Sequence, residues 1–206
     1  WDYEICDGYA YAFCGFGSYN ELRVYDMSDP FNPNRLATRG GRHRNLLTDD
    51  YWVYTFGSAG QLSILDPITL EQVASAENVG HGLAIRDSLL YAHNDGTLSI
   101  YEVSNVNDIQ IIGQMTVSQG SYYSGFGVVY EGMLNGDYLY IPANENGVRI
   151  CDVSDPTNPH QVAYYDTAAK AKGITESGGY AYVATLKGIE VFPLYGYDAP
   201  ASSYAR

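Results

Sequence analysis

The sequence predicts an all-β chain, a β-propeller of about five four-stranded blades with the last blade incomplete, and three observations carry that expectation. A short alternating strand that runs into a Pro-rich corner, Val148-Arg149-Ile150-Cys151-Asp152-Val153-Ser154-Asp155-Pro156-Thr157-Asn158-Pro159, recurs nearly unchanged at Leu22–Pro33. Weaker copies stand at Leu62–Pro67, Leu98–Ser104 and Ile189–Pro193. The copies begin at 22, 62, 98, 148 and 189, steps of 40, 36, 50 and 41 residues, and such steps fall within the period of roughly 20–50 residues that marks repeat architectures. No segment shows the helical period.

Each unit reads as four strands. The first strands are Asp2–Cys6, Arg44–Thr48, Gly82–Arg86, Gly132–Asn135 and Gly173–Ser177. A turn pair follows each: Asp7-Gly8, Asp49-Asp50, Asp87-Ser88, Gly136-Asp137 and Gly178-Gly179. Such residues bond their own backbone or accept a positive φ. The second strands are Tyr9–Phe13, Tyr51–Tyr54, Leu89–Ala92, Tyr138–Ile141 and Tyr180–Val183. Residues at i and i+2 share a face, so large residues line one side and smaller apolar ones mostly the other. A strand packed between two sheets needs both faces apolar. The third strand is the repeated phrase, and Asp-Pro-x-Asn-Pro at 29–33 and 155–159 stops it, because Pro removes donors and fixes φ. Fourth strands are expected at Arg35–Thr38, Gln72–Ser75, Gln110–Met115 and Gln161–Tyr165.

Residues 1–194 thus form one domain, in units of about 1–39, 40–77, 78–117, 118–168 and 169–194, with 195–206 a C-terminal tail or an irregular last strand. A closed ring is preferred to an open stack of sheets, which exposes apolar blade faces at both ends. The fifth unit has strands one to three, and Tyr195–Arg206, rich in Pro, Ala and Ser, is a poor fourth. Its bare edge is open to strand addition from another chain.

The pattern resembles the LVIVD-repeat family. Gly136-Asp137-Tyr138-Leu139-Tyr140 with Val148–Pro159 carries the resemblance most fully, and Gly179-Tyr180-Ala181-Tyr182-Val183 with Ile189–Val191 carries it in part. The resemblance implies a propeller and export. It supplies no catalytic residues.

Composition excludes several function classes. The formal charge is −13 over 206 residues, with three Lys and eight Arg, which argues against nucleic-acid binding and against docking on anionic lipid. Twenty-one Tyr suit half-buried strand positions. Four Arg, at 35, 39, 42 and 44, make one local basic patch on this acidic body, read either as charge-balanced surface or as a site for carboxylate or sulfate. The odd count of Cys, at 6, 14 and 151, allows at most one internal bridge. Cys14 is expected roughly 16 Å beyond the turn at Cys6, too far for a disulfide, so the thiols are expected free and mostly buried. No run of 18 apolar residues spans a membrane. The start at Trp1, low Lys and high Tyr lean towards a processed, extracellular or cell-surface chain.

With four strands per unit, the loops between strands two and three share one face with the connections between units. Three features fall there: Ser118–Gly127, holding Tyr122, Tyr123 and Phe126; Gly15–Asn20, holding Phe16 and Tyr19; and the connection with Arg39, Arg42 and Arg44. Aromatic anchors among Ser and Gly suit binding loops, and insertions on one face of a repeat protein mark its contact surface. The residues opening each first strand, Trp1, His43, His81, Glu131 and Lys172, are expected to ring the central channel. His43, His81 and Glu131 are weak candidates for a metal site there, and hydrogen-bonded rim histidines are the plainer reading. Glu4 and Glu131 leave too few acids for a glycosidase pair, since Arg44, Leu83 and Thr175 hold comparable places. Asn94-Asp95-Gly96 and Asn144–Gly147 lack the alternating carboxylates of calcium loops and read as hairpin turns. No nucleophile elbow or phosphate loop is present.

The expected function is a non-catalytic exported scaffold without a cofactor, binding through its loop-rich face to a protein, to copies of itself or to a polysaccharide. One alternative is a structural subunit of a surface layer or filament joined at the fifth blade. The other is a metal- or carboxylate-dependent hydrolase with its site in the channel.

Overall fold

The computed structural model describes residues 3–15, 20–57, 59–94, 96–117 and 131–196. Blade 1 is β1 (Tyr3–Cys6), β2 (Tyr9–Cys14), β3 (Asn20–Asp26) and β4 (Asn34–Gly41). Blade 2 is β5 (His43–Thr48), β6 (Val53–Gly57), β7 (Leu62–Leu65) and β8 (Gln72–Ala76). Blade 3 is β9 (His81–Arg86), β10 (Leu89–Asn94), β11 (Thr97–Glu102) and β12 (Gln110–Thr116). Blade 4 is β13 (Met133–Asn135), β14 (Tyr138–Pro142), β15 (Val148–Asp152) and β16 (His160–Tyr165). Blade 5 has three described strands, β17 (Ala171–Ser177), β18 (Tyr180–Thr185) and β19 (Gly188–Pro193). The protein is an all-β, five-bladed propeller of antiparallel sheets. Among the described residues no helix is long and apolar enough to cross a membrane.

The turns between the first two strands of a blade use the positive φ that their residue types permit: Asp7 at 47° and Gly8 at 79°, Asp87 at 52° and Ser88 at 61°, Gly178 at 60° and Gly179 at 86°. In blade 2, Tyr51 and Trp52 belong to the turn and not to the strand expected there. Asp49 Oδ1 accepts from the amides of both, at 2.8 and 2.7 Å, and Asp49 Oδ2 accepts from the Tyr54 hydroxyl at 2.8 Å. One carboxylate thus satisfies the amides that pairing would otherwise use. The corners after the third strands are held in the same way. Asp29 accepts from the Phe31 amide, Asp66 from those of Ile68 and Thr69, and Asp155 from that of Thr157.

Where the third and fourth strands pair, blades 1 to 4 each carry a register shift at one place: after Val24, Ile64, Ile100 and Ile150. The repeated bulge bends the outer strand and adds twist. Its position is common to the four blades because the alternation of the third strand is common to them.

The core lies between blades. Tyr11, Phe13, Leu22 and Val24 pack on blade 2 residues Leu46, Val53, Leu65 and Leu70. Tyr54, Phe56, Leu62 and Ile64 pack on blade 3 residues Leu90, Ala92, Tyr101 and Val103. Tyr91, Leu98 and Ile100 meet blade 4 through Leu139, Ile141 and Cys151, and Tyr140, Val148 and Ile150 meet blade 5 through Ala181 and Val183. Blades 1 to 4 therefore each present a second-strand Tyr (11, 54, 91, 140) forward, against a mostly aliphatic face of the blade that follows. Close approach is required at Gly82, where a Cβ would overlap the Phe56 ring.

The four cores seal the four junctions between successive blades, and no equivalent core lies between blades 5 and 1 among the described residues. The apolar side chains that such a junction would cover, Tyr3 and Ile5 on β1 and Ile189 and Val191 on β19, are exposed.

Candidate functional site

The antiparallel order places the loops between second and third strands, and the connections between blades, on one face. On that face, among the described residues, the loops of blades 1 to 4 are tied to the connection that follows. Asn20 Nδ2 donates to the His43 carbonyl at 2.8 Å, and the His43 amide donates back to Asn20 Oδ1 at 3.0 Å. In the next blade the amides of Val79 and Gly80 donate to the Gly60 carbonyl at 2.9 and 3.1 Å. The Val117 amide donates to the Gly96 carbonyl at 2.8 Å, and buried His93 Nε2 accepts from the Gly96 amide at 3.0 Å. In blade 4 Asn144, at a φ of 50°, accepts from the Ala171 amide at 3.0 Å, while its Oδ1 accepts from Lys172 Nζ at 2.7 Å. Lys170 pairs with Glu145 beside it, and this pairing holds the Glu145 carboxyl below its ordinary range. Backbone bonds and short polar side chains thus hold the described loops of this face in place.

The expected site residues are distributed as follows. Phe16, Tyr19, Tyr122, Tyr123, Phe126 and Trp1 lie outside the described residues. Arg39 turns away from the loop face: its guanidinium donates to the Leu70 carbonyl at 3.2 Å and to Gln72 Oε1 at 3.0 Å, bracing blade 1 against the corner of blade 2. Arg42 and Arg44 are exposed where blade 1 enters blade 2.

His43, His81 and Lys172 do not share one register position. His43 lies opposite Gly57, and His81 opposite His93. Lys172 is the extra residue of a bulge between Ala171 and Gly173. The first-strand bulge skips Arg44 in blade 2 and Lys172 in blade 5 at the same register, but in blade 3 it lies two pairs nearer the turn and skips Leu83, which slides one rim residue past another. Sequence spacing carries no record of that slip.

His43 stacks on Phe13 at 5.6 Å between ring centroids and 3° between planes, with its Nε2 buried and without a hydrogen-bond partner. Burial, and then the Arg39 charge, push its pKa down to about 4. His81 is lowered by burial and then by Arg44. Half-buried Glu131 stands beside Gly132, whose amide donates to the Leu83 carbonyl at 2.8 Å. Among the described residues no three His, Cys, Asp or Glu side chains gather closely enough to hold a metal ion.

All three thiols are free. Cys151 alone is fully buried, and burial pushes its pKa up to about 12, whereas Cys6 and Cys14 are half-buried on the less covered first blade. Sequence reasoning missed the clamping role of Asn20 and Asn144. Asn recurring after the second strand, at 20, 94 and 144, was the available signal.

A family model described as the LVIVD repeat matches residues 133–167 and 168–190. These residues cover blade 4 from β13 to just past β16, and then blade 5 into β19. No curated protein sequence matches the chain. Among solved structures the chain is similar to a functionally unknown protein from Desulfotomaculum acetoxidans, at 14% identity and a TM-score of 0.74 over 93% of this chain and 64% of that one. It is similar to BamB from Moraxella catarrhalis, at 12% identity and a TM-score of 0.59 over 96% and 70% of the two chains. A chain of the Mitotic Checkpoint Complex matches at 10% identity and a TM-score of 0.71, over 96% of this chain and 61% of that one. At these identities the likeness shows fold alone. This chain spans less than two thirds of the Desulfotomaculum protein it matches. It is a five-bladed β-propeller that carries LVIVD repeats in its fourth and fifth blades.

Proposed function

We propose that this propeller is a protein-binding scaffold with no catalytic step, exported to the cell surface, and that it binds through its loop-bearing face. The observation that carries the reading is the construction of that face. Each clamp from a loop to the next connection removes loop freedom before any partner arrives, and such pre-organisation lowers the entropy lost on binding. On a body of formal charge −13, exposed Arg42 and Arg44 offer a local cationic contact for carboxylates of a partner protein or an acidic polysaccharide. A similar propeller belongs to an assembly named the Mitotic Checkpoint Complex, which supports the scaffold role by analogy of fold.

The test is a binding screen by biolayer interferometry against cell-envelope proteins and acidic polysaccharides, repeated with Arg42→Glu and Arg44→Glu together. Binding that weakens about tenfold in the double variant supports the reading, since a rim charge reversal acts mainly through long-range attraction. Affinity that ignores both substitutions, or turnover of the bound polymer, overturns it. Protease treatment of intact cells tests export, and a protein protected until lysis would count against that half.

A second reading, a structural subunit joined by strand addition, is favoured by the edge of β19, which has no fourth strand beside it among the described residues. Hydrogen exchange separates the two. Slow exchange along that edge at high protein concentration, lost on dilution, supports addition of a strand; fast exchange at both concentrations removes it.

A further inference from the structure

In blades 2, 3 and 4 the loop after the second strand turns on a glycine at positive φ: Gly60 at 79°, Gly96 at 81° and Gly147 at 67°. In each, the glycine amide donates to an acceptor on the residue three places earlier. Blades 2 and 4 use a backbone carbonyl, Gly57 for Gly60 at 3.1 Å and Asn144 for Gly147 at 3.2 Å. Blade 3 uses a side chain instead: the Gly96 amide donates to His93 Nε2 at 3.0 Å. Of the three acceptors only the imidazole can take up a proton near physiological pH. The Gly96 carbonyl in turn accepts from the Val117 amide at 2.8 Å, as the Gly60 carbonyl accepts from those of Val79 and Gly80. The His93 ring therefore stands at the root of the tie between the blade 3 loop and the connection that follows it.

Accepting at Nε2 fixes the proton of the neutral ring on Nδ1. A second proton, on Nε2, turns that nitrogen into a donor facing the Gly96 N–H, and two donors cannot share one bond. His93 is 3% exposed, so water reaches the stranded amide and the new charge only if the loop moves. The surroundings are mixed. His93 lies opposite Leu98 on β11 and opposite His81 on β9, whose pKa is lowered by burial and then by the Arg44 charge. From blade 4, Leu139 and Ile141 pack with Leu98, and Arg149 stands opposite Ile141. Glu131 precedes Gly132, whose amide donates to the Leu83 carbonyl of β9. Of these groups only the Glu131 carboxylate favours a positive ring. The bond that His93 accepts belongs to the neutral ring, and acid is its trigger.

We propose that His93 is an acid-operated latch on the loop-bearing face: its neutral ring holds Gly96, and through it Val117, and protonation of Nε2 releases both. The blade 3 loop is then ordered near neutral pH and loosened in acid. The loops of blades 2 and 4, held by carbonyls, do not respond. The latch stands on this geometry alone. Its consequence for a partner rests on the scaffold reading: a loop ordered beforehand loses less entropy on binding, so a partner is held near neutral pH and let go in acid.

The test is amide hydrogen exchange at Gly96 and Val117 at about pH 7.5 and about pH 4.5, expressed as protection factors to remove the intrinsic effect of pH on exchange. In acid, protection at both amides is expected to fall on the order of tenfold, as for the loss of a hydrogen bond. Protection at Val79 and Gly80, in the blade 2 clamp, is expected to hold. His93→Gln offers an amide oxygen that accepts from Gly96 and does not titrate, so it should keep protection at both pH values. His81→Gln should lose it as the wild type does. Nitrogen NMR of the wild-type ring needs no substitution: Nε2 should be unprotonated near neutral pH and gain its proton in step with the loss of protection. Unchanged protection in acid overturns the proposal, as does an equal loss in His93→Gln, a loss that extends to Val79 and Gly80, or a ring that titrates out of step with the loop. None of these readouts needs a partner. A failed binding screen therefore leaves the latch standing, and an inert latch leaves the scaffold reading standing.

Discussion

Tyr140 and Tyr182 stand at the same register position in neighbouring blades, one sealed and the other in contact with water. Around Tyr140 the strand β14 is buried on both faces, as β6 is in blade 2 and β10 in blade 3. Around Tyr182 the strand β18 alternates, with Ala181 and Val183 buried against blade 4 and the opposite face open. The first blade mirrors this, since β2 buries only Tyr11 and Phe13, towards blade 2. Local sequence hardly differs between the interior and terminal blades, so the presence of a neighbour, not composition, sets the stability of each face.

The largest expected effect breaks this comparison directly. Ile64→Ala should cost about 2–5 kcal/mol in urea unfolding, the usual range for a buried Ile that leaves a cavity. Val191→Ala should stay within about 0.5 kcal/mol, as for an exposed position. Equal losses at the two sites would mean that blade 5 is covered within one chain.

Next is crowding at the junctions. Gly82→Ala drives a methyl into the Phe56 ring and should cost about 1–3 kcal/mol by overpacking. Gly173→Ala in blade 5 meets only the Ala184 methyl at 4.0 Å, ordinary contact, and should be nearly neutral in the same assay.

Smaller again is a pH effect at the junction of blades 1 and 2. Burial holds the His43 pKa at about 4, against 6.5 for an unperturbed histidine. The unfolded chain therefore takes up a proton as pH falls through 6.5, while the folded chain resists until about 4. Stability is complete above this window and declines as pH falls through it. His81, also lowered, acts in the same direction. His43→Phe, which preserves the stack on Phe13, should flatten part of the decline in the urea midpoint between pH 7 and 4.5. An unchanged slope would place the proton uptake elsewhere.

The smallest effect belongs to the corners. Asp155→Ala removes the acceptor for the Thr157 amide and hydroxyl. These bonds hold the carboxyl below its ordinary pKa, so their contribution is present above the unfolded value and lost as pH falls through the folded one. A slight drop in Tm at pH 7 that disappears in acid is expected. A drop that persists in acid would point to the corner backbone.

The fold was legible because its signals are local. Asp-Pro-x-Asn-Pro ends a strand through its own backbone chemistry, and Asp7-Gly8 or Gly178-Gly179 turns the chain whatever lies nearby. The turn at Asp49 was misjudged by two residues because one carboxylate serves two amides and the Tyr54 hydroxyl together, which needs three-dimensional placement. The candidate site was less legible. Arg39 reads in the sequence as part of a basic patch, yet it braces Leu70 and Gln72 of the next blade. His43 and His81 read as equivalent until bulges at different positions move them out of step.

By itself the sequence determined the strands, the repeated corners and the alternation that makes each sheet apolar on two sides, because those depend on near neighbours along the chain. Which apolar faces are covered was decided only by the tertiary structure. Burial requires a second surface about 10 Å away, and four junctions supply one while the outer faces of blades 1 and 5 have none within the described chain.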